Sequence, residues 1–281
     1  MNEAQNFALD GLGIRGSLVR LEETWRAVVA EHDYPDNVRR LLGESVAATV
    51  LMTTGLKGAP RVSLQLQGEG PLKLLLIQCS AELKVRGMAQ WRDAAEDTVL
   101  LGAGRLAVNL DAGEPRRVFQ SIVPVISAEI AECLEAYFRQ SEQLPTRLVL
   151  RTTRERVAGL ILQALPHSDP SSGTFETAGA MVATVSAREL SELPASRLLP
   201  KLFAGFAIRL FEARPVTHDC RCTPAHLAGV VRMLGARELE ALLAERGEVA
   251  LTCEFCNRRF RYDAADIDAI LSGHTPARTV H

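Results

Sequence analysis

The sequence predicts an α+β fold. The expected parts are an N-terminal domain of mixed or antiparallel sheet with packed helices, a helical apolar connector, and a small C-terminal module rich in cysteine. Three observations predict it. Apolar residues alternate with period two in segments joined by short turn signals, the pattern of hairpins. Helical periodicities come in blocks rather than singly between strands, which disfavours a doubly wound parallel sheet. Four of the six cysteines fall in two short pairs between residues 220 and 253–256.

The elements follow in order. A helix is predicted over Glu22–His32, and "HDYP" separates it from a second helix at Asp36–Thr54, because Pro35 disfavours helix in the residue before it. In "RVSLQLQ" (Arg61–Gln67) the residues Val62, Leu64 and Leu66 share one face, as in a half-buried strand. "GEGP" (Gly68–Pro71) is a turn, and "LKLLLIQ" is the returning strand. "RLAVNLDAGEPRRVFQSIV" repeats that form with its loop at Asp111–Pro115. A helix is predicted over Ala128–Gln140, and "TRLVLRTT" with "VAGLILQAL" makes a further strand pair. The loop "PHSDPSSG" (Pro166–Gly173) closes a first domain spanning 1–173.

Residues 174–216 return to helical patterns. Within them "SRLLPKLFAGFAIRLF" (Ser196–Phe211) reads either as a core helix interrupted at Pro200 or as an apolar connector that something must cover. Residues 217–281 form the last module. Thr223 caps a helix with Pro224 in its first position, and Leu227, Val230, Val231 and Leu234 recur on one face before Gly235 ends it. A short helix, Ala236–Arg246, is closed by Gly247; "EVALTCEFCNRRFRY" is a strand, a cysteine turn and a strand; Asp263 caps Ala264–Leu271. This module has very little core.

Composition narrows the function classes. The 281 residues are 47% apolar and 23% charged, values of a globular chain, and the net charge of −2 gives no global attraction to nucleic acid or anionic membrane. The first residues show neither the basic nor the apolar region of a secretory signal. The longest uncharged helical stretch, Val46–Leu56, is far short of the roughly 20 residues that span a bilayer. A cytoplasmic protein is expected, and in a reducing compartment clustered cysteines are metal ligands or redox centres rather than structural disulfides. Cys79 and Cys133 stand alone in apolar contexts and read as inert buried thiols.

Most motifs are weak. "GLGIRG" (Gly11–Gly16) matches a dinucleotide fingerprint in letters only: ten residues precede it and strand-like "SLVRL" follows, so a flexible N-terminal turn is expected. "GESVA" (Gly43–Ala47) lies inside a helical pattern and lacks the second glycine of a serine elbow. No constellation in the large domain supports catalysis, and the protein is not expected to be an enzyme.

The strong motif is Cys220-x-Cys222, thirty residues, then Cys253-x-x-Cys256. Zinc takes four soft ligands tetrahedrally, and each short pair supplies two from one turn. His218 and His226 flank the first pair and read more simply as a neighbour of the site and a helix-surface residue. A nucleic-acid-binding zinc ribbon is the alternative reading. Charge counts against it, because from His218 onward eight Arg and Lys face nine Asp and Glu. Arg221, Arg258 and Arg259 instead offset the negative charge of a zinc tetrathiolate. A thiol–disulfide oxidoreductase using Cys253 and Cys256 would need a helix N-terminus beside the pair, where the pattern gives strand, turn, strand.

Magnitudes point to a switch. A module of this size rarely holds itself by more than roughly 3–5 kcal/mol, whereas structural zinc contributes an apparent ~10–16 kcal/mol in finger peptides. Losing the metal should therefore unfold the module. Thiolates are also what oxidants attack, and the adjacent pairs can close on themselves as disulfides.

The cysteine arrangement, together with "EHDYPDNVRRLL", "QLQGEGPL", "SEQLPTRLVLRT" and "GEVALTCEFCNRRFRYDAADIDAI", resembles the heat shock protein 33 family, the redox-regulated chaperones of the bacterial cytosol. The resemblance covers nearly the whole chain, and "CRC" with thirty residues to "CEFC" is its most specific mark. It implies an inactive reduced state holding one Zn²⁺ on Cys220, Cys222, Cys253 and Cys256. It implies that oxidation with mild unfolding forms the Cys220–Cys222 and Cys253–Cys256 disulfides and frees the zinc. ATP-independent holding of unfolding client proteins then turns on, as a homodimer, with neither nucleic acid nor membrane as partner. The stretch before the first cysteine, "ARPVTHD", is shorter than the linker this resemblance leads one to expect.

Overall fold

The alternating segments pair as their turn signals require. In the computed structural model, which describes residues 1–56, 61–92, 100–111, 118–166 and 173–274, the chain divides into two compact units. One is Met1–Val29 with Asp33–His218; the other is Ala30–His32 with Asp219–His281. The loops predicted after Asp111 and across Pro166–Gly173 lie, but for their ends, outside the described residues.

The first unit begins with a hairpin, β1 (Asn2–Leu9) and β2 (Ile14–Leu21), followed by α1 (Glu23–Val29) and α2 (Asp36–Gly55). Three strands follow, β3 (Arg61–Gly68), β4 (Leu72–Ser80) and β5 (Lys84–Trp91), then β6 (Gly104–Asp111) and β7 (Val118–Pro124). α3 (Ile130–Tyr137) runs on through a π-helical turn to Glu142, and β8 (Thr146–Thr152) and β9 (Val157–Ala164) form the next hairpin. The rest is α4 (Thr174–Ala183), α5 (Ala187–Glu192), α6 (Ala195–Leu202), β10 (Ile208–Pro215) and the short β11 (Thr217–His218). Two sheets result, a five-stranded one ordered β10-β1-β2-β9-β8 and a six-stranded one ordered β11-β5-β4-β3-β6-β7. All pairings are antiparallel except β11 with β5, so the expected mixed sheet is present.

α2 lies between the two sheets and is buried continuously from Leu41 to Thr53. A helix enclosed on every side must satisfy its own polar groups. Thr49 Oγ1 donates to Ser45 O at 2.8 Å and Thr53 Oγ1 to Thr49 O at 2.7 Å. Gly43 permits close packing, because a Cβ there would meet the Thr152 side chain at 2.6 Å. "GESVA" is thus a packing segment, with Ser45 fully buried.

Glu44 is the costly residue on α2. Its carboxyl is 8% exposed, and Arg40 Nη1 approaches only to 3.4 Å. Burial pushes its pKa from an ordinary 4.5 up to about 7, against the partial relief of Arg40. The folded state therefore holds a proton that the unfolded state has released between about pH 4.5 and 7, and stability falls as pH rises through that window. Glu44→Gln is expected to be neutral near pH 4 and to stabilise by about 2–3 kcal/mol at pH 8. Urea midpoints followed by the tryptophans, both in this unit, check it; an equal shift at both pH values would rule out the buried charge as the cause.

The segment 174–216, expected as an apolar helical connector, belongs to the first unit. α4, α5 and α6 cover the outer face of the five-stranded sheet and build a second core there, with Leu190, Leu198, Leu199 and Phe203 against Phe7, Leu18, Leu160 and Leu162. A helix running on to Phe211 is not what forms. Pro200 sits inside α6, the helix ends at Phe203, and Ile208–Pro215 is an edge strand paired with β1. The reason is tertiary: β1 had an open edge, and "IRLFEARP" supplies the extended partner.

The turn expected near the N-terminus is present. Residues 2–9 are a strand, the first three residues of "GLGIRG" lie in the hairpin turn that follows it, with Gly11 at φ +78° and Gly13 at φ +64°, and its last three begin β2. Gly16 lies under the Phe7 ring, where a Cβ would come within 2.2 Å of Cζ. Strand follows the turn instead of helix, so no dinucleotide cradle exists. Cys79 and Cys133 are fully buried, and burial pushes the Cys79 thiol up to about 12.

Candidate metal centre

The C-terminal unit builds its cysteine site from short elements. Thr223 Oγ1 accepts from the His226 amide at 3.2 Å and Pro224 starts α7 (Pro224–Leu234), as the capping residues predicted. α8 (Ala236–Arg246) ends at Gly247 in the left-handed region. β12 (Val249–Thr252) and β13 (Arg259–Tyr262) then pair in the register Val249↔Tyr262 to Thr252↔Arg259. Asp263 caps α9 (Ala264–Leu271) in a reciprocal box with Asp266. The core is small: Leu227, Val231, Leu239, Phe260, Ile267 and Ile270 with a few neighbours, and Cys222 is part of it.

The β12–β13 connection is a tight loop carrying two cysteines. The Cys253 amide donates to Arg258 O at 2.9 Å, and the Asn257 amide donates to Cys253 O at 2.7 Å. Asn257 takes φ +52°, a conformation asparagine tolerates better than most residues. Its side-chain amide donates to Glu31 O at 2.8 Å, within the same unit. On the other side the chain turns at Arg221, whose carbonyl accepts from the Thr223 amide at 2.8 Å, so Cys220 and Cys222 leave one short bend.

These two bends bring the four sulfurs within 4.8 Å of one another. The closest approaches run between the bends: Cys220 Sγ to Cys253 Sγ at 3.5 Å and Cys222 Sγ to Cys256 Sγ at 3.2 Å. Among the described residues this is the group that can hold a metal ion, and it consists of cysteines alone. His226 is exposed on α7, and His218 lies in β11 of the other unit. Arg221, Arg258 and Arg259 are all exposed around the site.

The thiols respond to crowding. Burial raises the Cys220 thiol to about 11, and the Cys256 and Cys253 thiols beside it act the same way. Burial also raises Cys222 well above its ordinary value, reinforced by Cys256 and Cys220. At Cys253 burial acts upward too, but the backbone amides of Cys256 and Phe255 outweigh it and hold the thiol below its ordinary value. The donor set suits a thiophilic cation: four sulfurs at mutual distances that one tetrahedral ion spans, with bonds of about 2.3 Å to zinc. Such a cation reverses the upward shifts by favouring the thiolates.

The Hsp33 protein family model matches residues 2–263. The 33 kDa chaperonin of Shewanella denitrificans is 38% identical over 270 residues, covering 95% of this chain and 93% of its own length. The 33 kDa chaperonin of Nitrosococcus oceani is 36% identical, covering 99% and 98%. In three dimensions the 33 kDa chaperonin of Thermotoga maritima superposes with a TM-score of 0.84 at 23% identity, over 97% of this chain and 98% of that one, a likeness of fold. The chain belongs to the Hsp33 family, and a four-cysteine cluster lies in its C-terminal unit.

Proposed function

We propose that this protein is a redox-regulated holdase of the reducing cytosol, silent while its C-terminal module is folded and active once oxidation has opened it. The observation that supports this reading most is the convergence of all four C-terminal sulfurs in a unit whose apolar core is small. In this reading residues 217–281 are the switch, 174–216 the apolar segment it controls, and 1–173 the base.

Cys220, Cys222, Cys253 and Cys256 would hold one zinc ion. When bound, zinc keeps the four sulfurs deprotonated and ties the two bends together. The cysteines themselves carry the switch. A thiolate attacks a peroxide, cleaving its O–O bond to give a sulfenic acid and hydroxide; the partner thiol then displaces the second oxygen as water and closes the S–S bond. Each pair loses two electrons, and one peroxide becomes two waters.

The pairing decides the outcome. Every sulfur is near every other in the folded unit, so distance alone selects no pair. Bonds between the bends would close loops of about thirty residues and stabilise the folded module by about 3–4 kcal/mol. Cys220–Cys222 and Cys253–Cys256 close only tiny rings and leave the bends independent. The family resemblance implies the adjacent pairs, and that pairing lets the module open. The apolar surface so freed, with Leu210 and Phe211 on β10 already exposed, would hold unfolding client proteins without ATP, as a dimer.

The test compares reduced protein with peroxide-treated, gently warmed protein. Bound zinc, free thiols, disulfide positions, sedimentation and suppression of aggregation of a heat-denatured client are measured on both. Zinc should be retained before oxidation and lost with four thiols after it, and client protection should appear only then. Zinc kept after oxidation, or equal protection in both states, sinks the switch.

A further inference from the structure

The two large sheets end in strands of contrasting chemistry. β10 carries Arg209, Glu212, Arg214 and Pro215. β8 carries Arg147 and Arg151, and its Leu148 amide donates to the Glu135 carboxylate at 2.8 Å. β11 is only two residues long. Charge, proline, shortness and a covering group are the usual guards of a sheet edge. β7 reads "VFQSIVP", seven residues with no charge and a proline only at its end.

Among the described residues its backbone is unpaired on one side. The Val125 amide donates to Gly104 O at 2.9 Å. Alternation of the antiparallel ladder from that bond, in the register Leu106↔Val123 to Leu110↔Phe119, turns the main-chain groups of Phe119, Ser121 and Val123 toward β6. Those of Gln120 and Ile122 point outward, and among the described residues no strand pairs with that side. Phe119 and Ile122, on opposite faces of the strand, are 59% and 55% exposed.

We propose that the β7 edge takes an extended, uncharged segment of an unfolding polypeptide as an added strand; this rests on the client-holding reading above. A row of unpaired amides and carbonyls is complementary to one partner chemistry, an extended backbone, and it reads no sequence. Phe119 and Ile122 offer cross-strand apolar neighbours on both faces, which favours apolar segments of the kind unfolding exposes. The strand itself carries no charge to repel them. β7 contains none of the four clustered cysteines, so the edge takes a short extended peptide in both redox states, while holding a whole client needs the surface that oxidation frees.

The probe is an end-labelled peptide of alternating valine and threonine, offered to the reduced and the oxidised full-length chain. Its counterpart carries an N-methyl group on every amide and cannot donate to the edge from either side. The unmethylated peptide should bind in both states and slow hydrogen exchange at Gln120 and Ile122. Gln120→Pro removes an outward amide without breaking the β6 ladder, and Ile122→Lys places a charge on the edge. Each should weaken binding about tenfold, the loss of one or two strand contacts, with circular dichroism and thermal melting unchanged. Equal binding of the methylated peptide, or unaltered binding by both variants, overturns the proposal. So does slow exchange of β7 without peptide in a chain that sediments as a dimer until Ile122→Lys separates it, which assigns the edge to a second copy. Peptide binding that persists while oxidation fails to switch on client protection would refute the redox switch and leave the edge standing.

Discussion

Cys222→Ser is expected to unfold the C-terminal unit while the first unit melts as before. Cys222 is the buried member of the cluster, its sulfur 3.2 Å from that of Cys256 and packed in the unit's own small core. A core of this size supplies roughly 3–5 kcal/mol at best, against an apparent ~10–16 kcal/mol from a structural zinc ion. With zinc on the four cysteines as proposed, removing one ligand therefore costs more than the remaining packing can offset. Zinc per chain should fall from one to near zero, and amides between residues 219 and 274 should lose their dispersion in NMR spectra. Trp25 and Trp91, both in the first unit, should report an unchanged urea midpoint. A chain that keeps its zinc would pass one ligand position to a different donor, with His226, four residues on in the same unit, the candidate. A chain that loses zinc yet stays ordered would show that the packing suffices alone.

Phe203→Ala is expected to destabilise the first unit by about 3–5 kcal/mol, the range for deleting a large buried aromatic side chain. Phe203 is 1% exposed at the end of α6, its ring centroid 5.8 Å from that of Phe7. The Phe7 ring in turn crosses Gly16 in the middle of the five-stranded sheet. The cavity would open between two layers that cannot collapse, because β-sheet backbone lines one wall. A loosely covered connector predicts instead almost no loss, since such a residue would change little between folded and unfolded states. The urea midpoint of the tryptophan signal separates the two outcomes. The same measurement on Phe211→Ala should show less than about 1 kcal/mol, because Phe211 is 47% exposed on β10.

Much of the molecule is readable from the chain because its signals are local. The hairpin of β3 and β4 follows from period-two alternation around "GEGP". The boundaries of α7, α8 and α9 follow from Thr223 with Pro224, from Gly247 and from Asp263, since caps act within one turn. The grouping of the four cysteines is legible for the same reason: two tight bends, each presenting two sulfurs, have few ways to satisfy those sulfurs except together.

What only the tertiary structure decided is everything that depends on a partner distant in sequence. Asn2–Leu9 shows little alternation and becomes a strand because β2 and β10 flank it. Ile208–Pro215 carries helical-looking apolar density and becomes an edge strand because β1 offered an open ladder. Residues 174–203 are covered rather than free because the five-stranded sheet has a second apolar face, visible only once β1, β2, β8 and β9 are assembled. Turns, caps and metal-capable bends are set by neighbours a few residues apart and are written in the sequence. Edges, faces and the core between them exist only after the chain has folded back on itself.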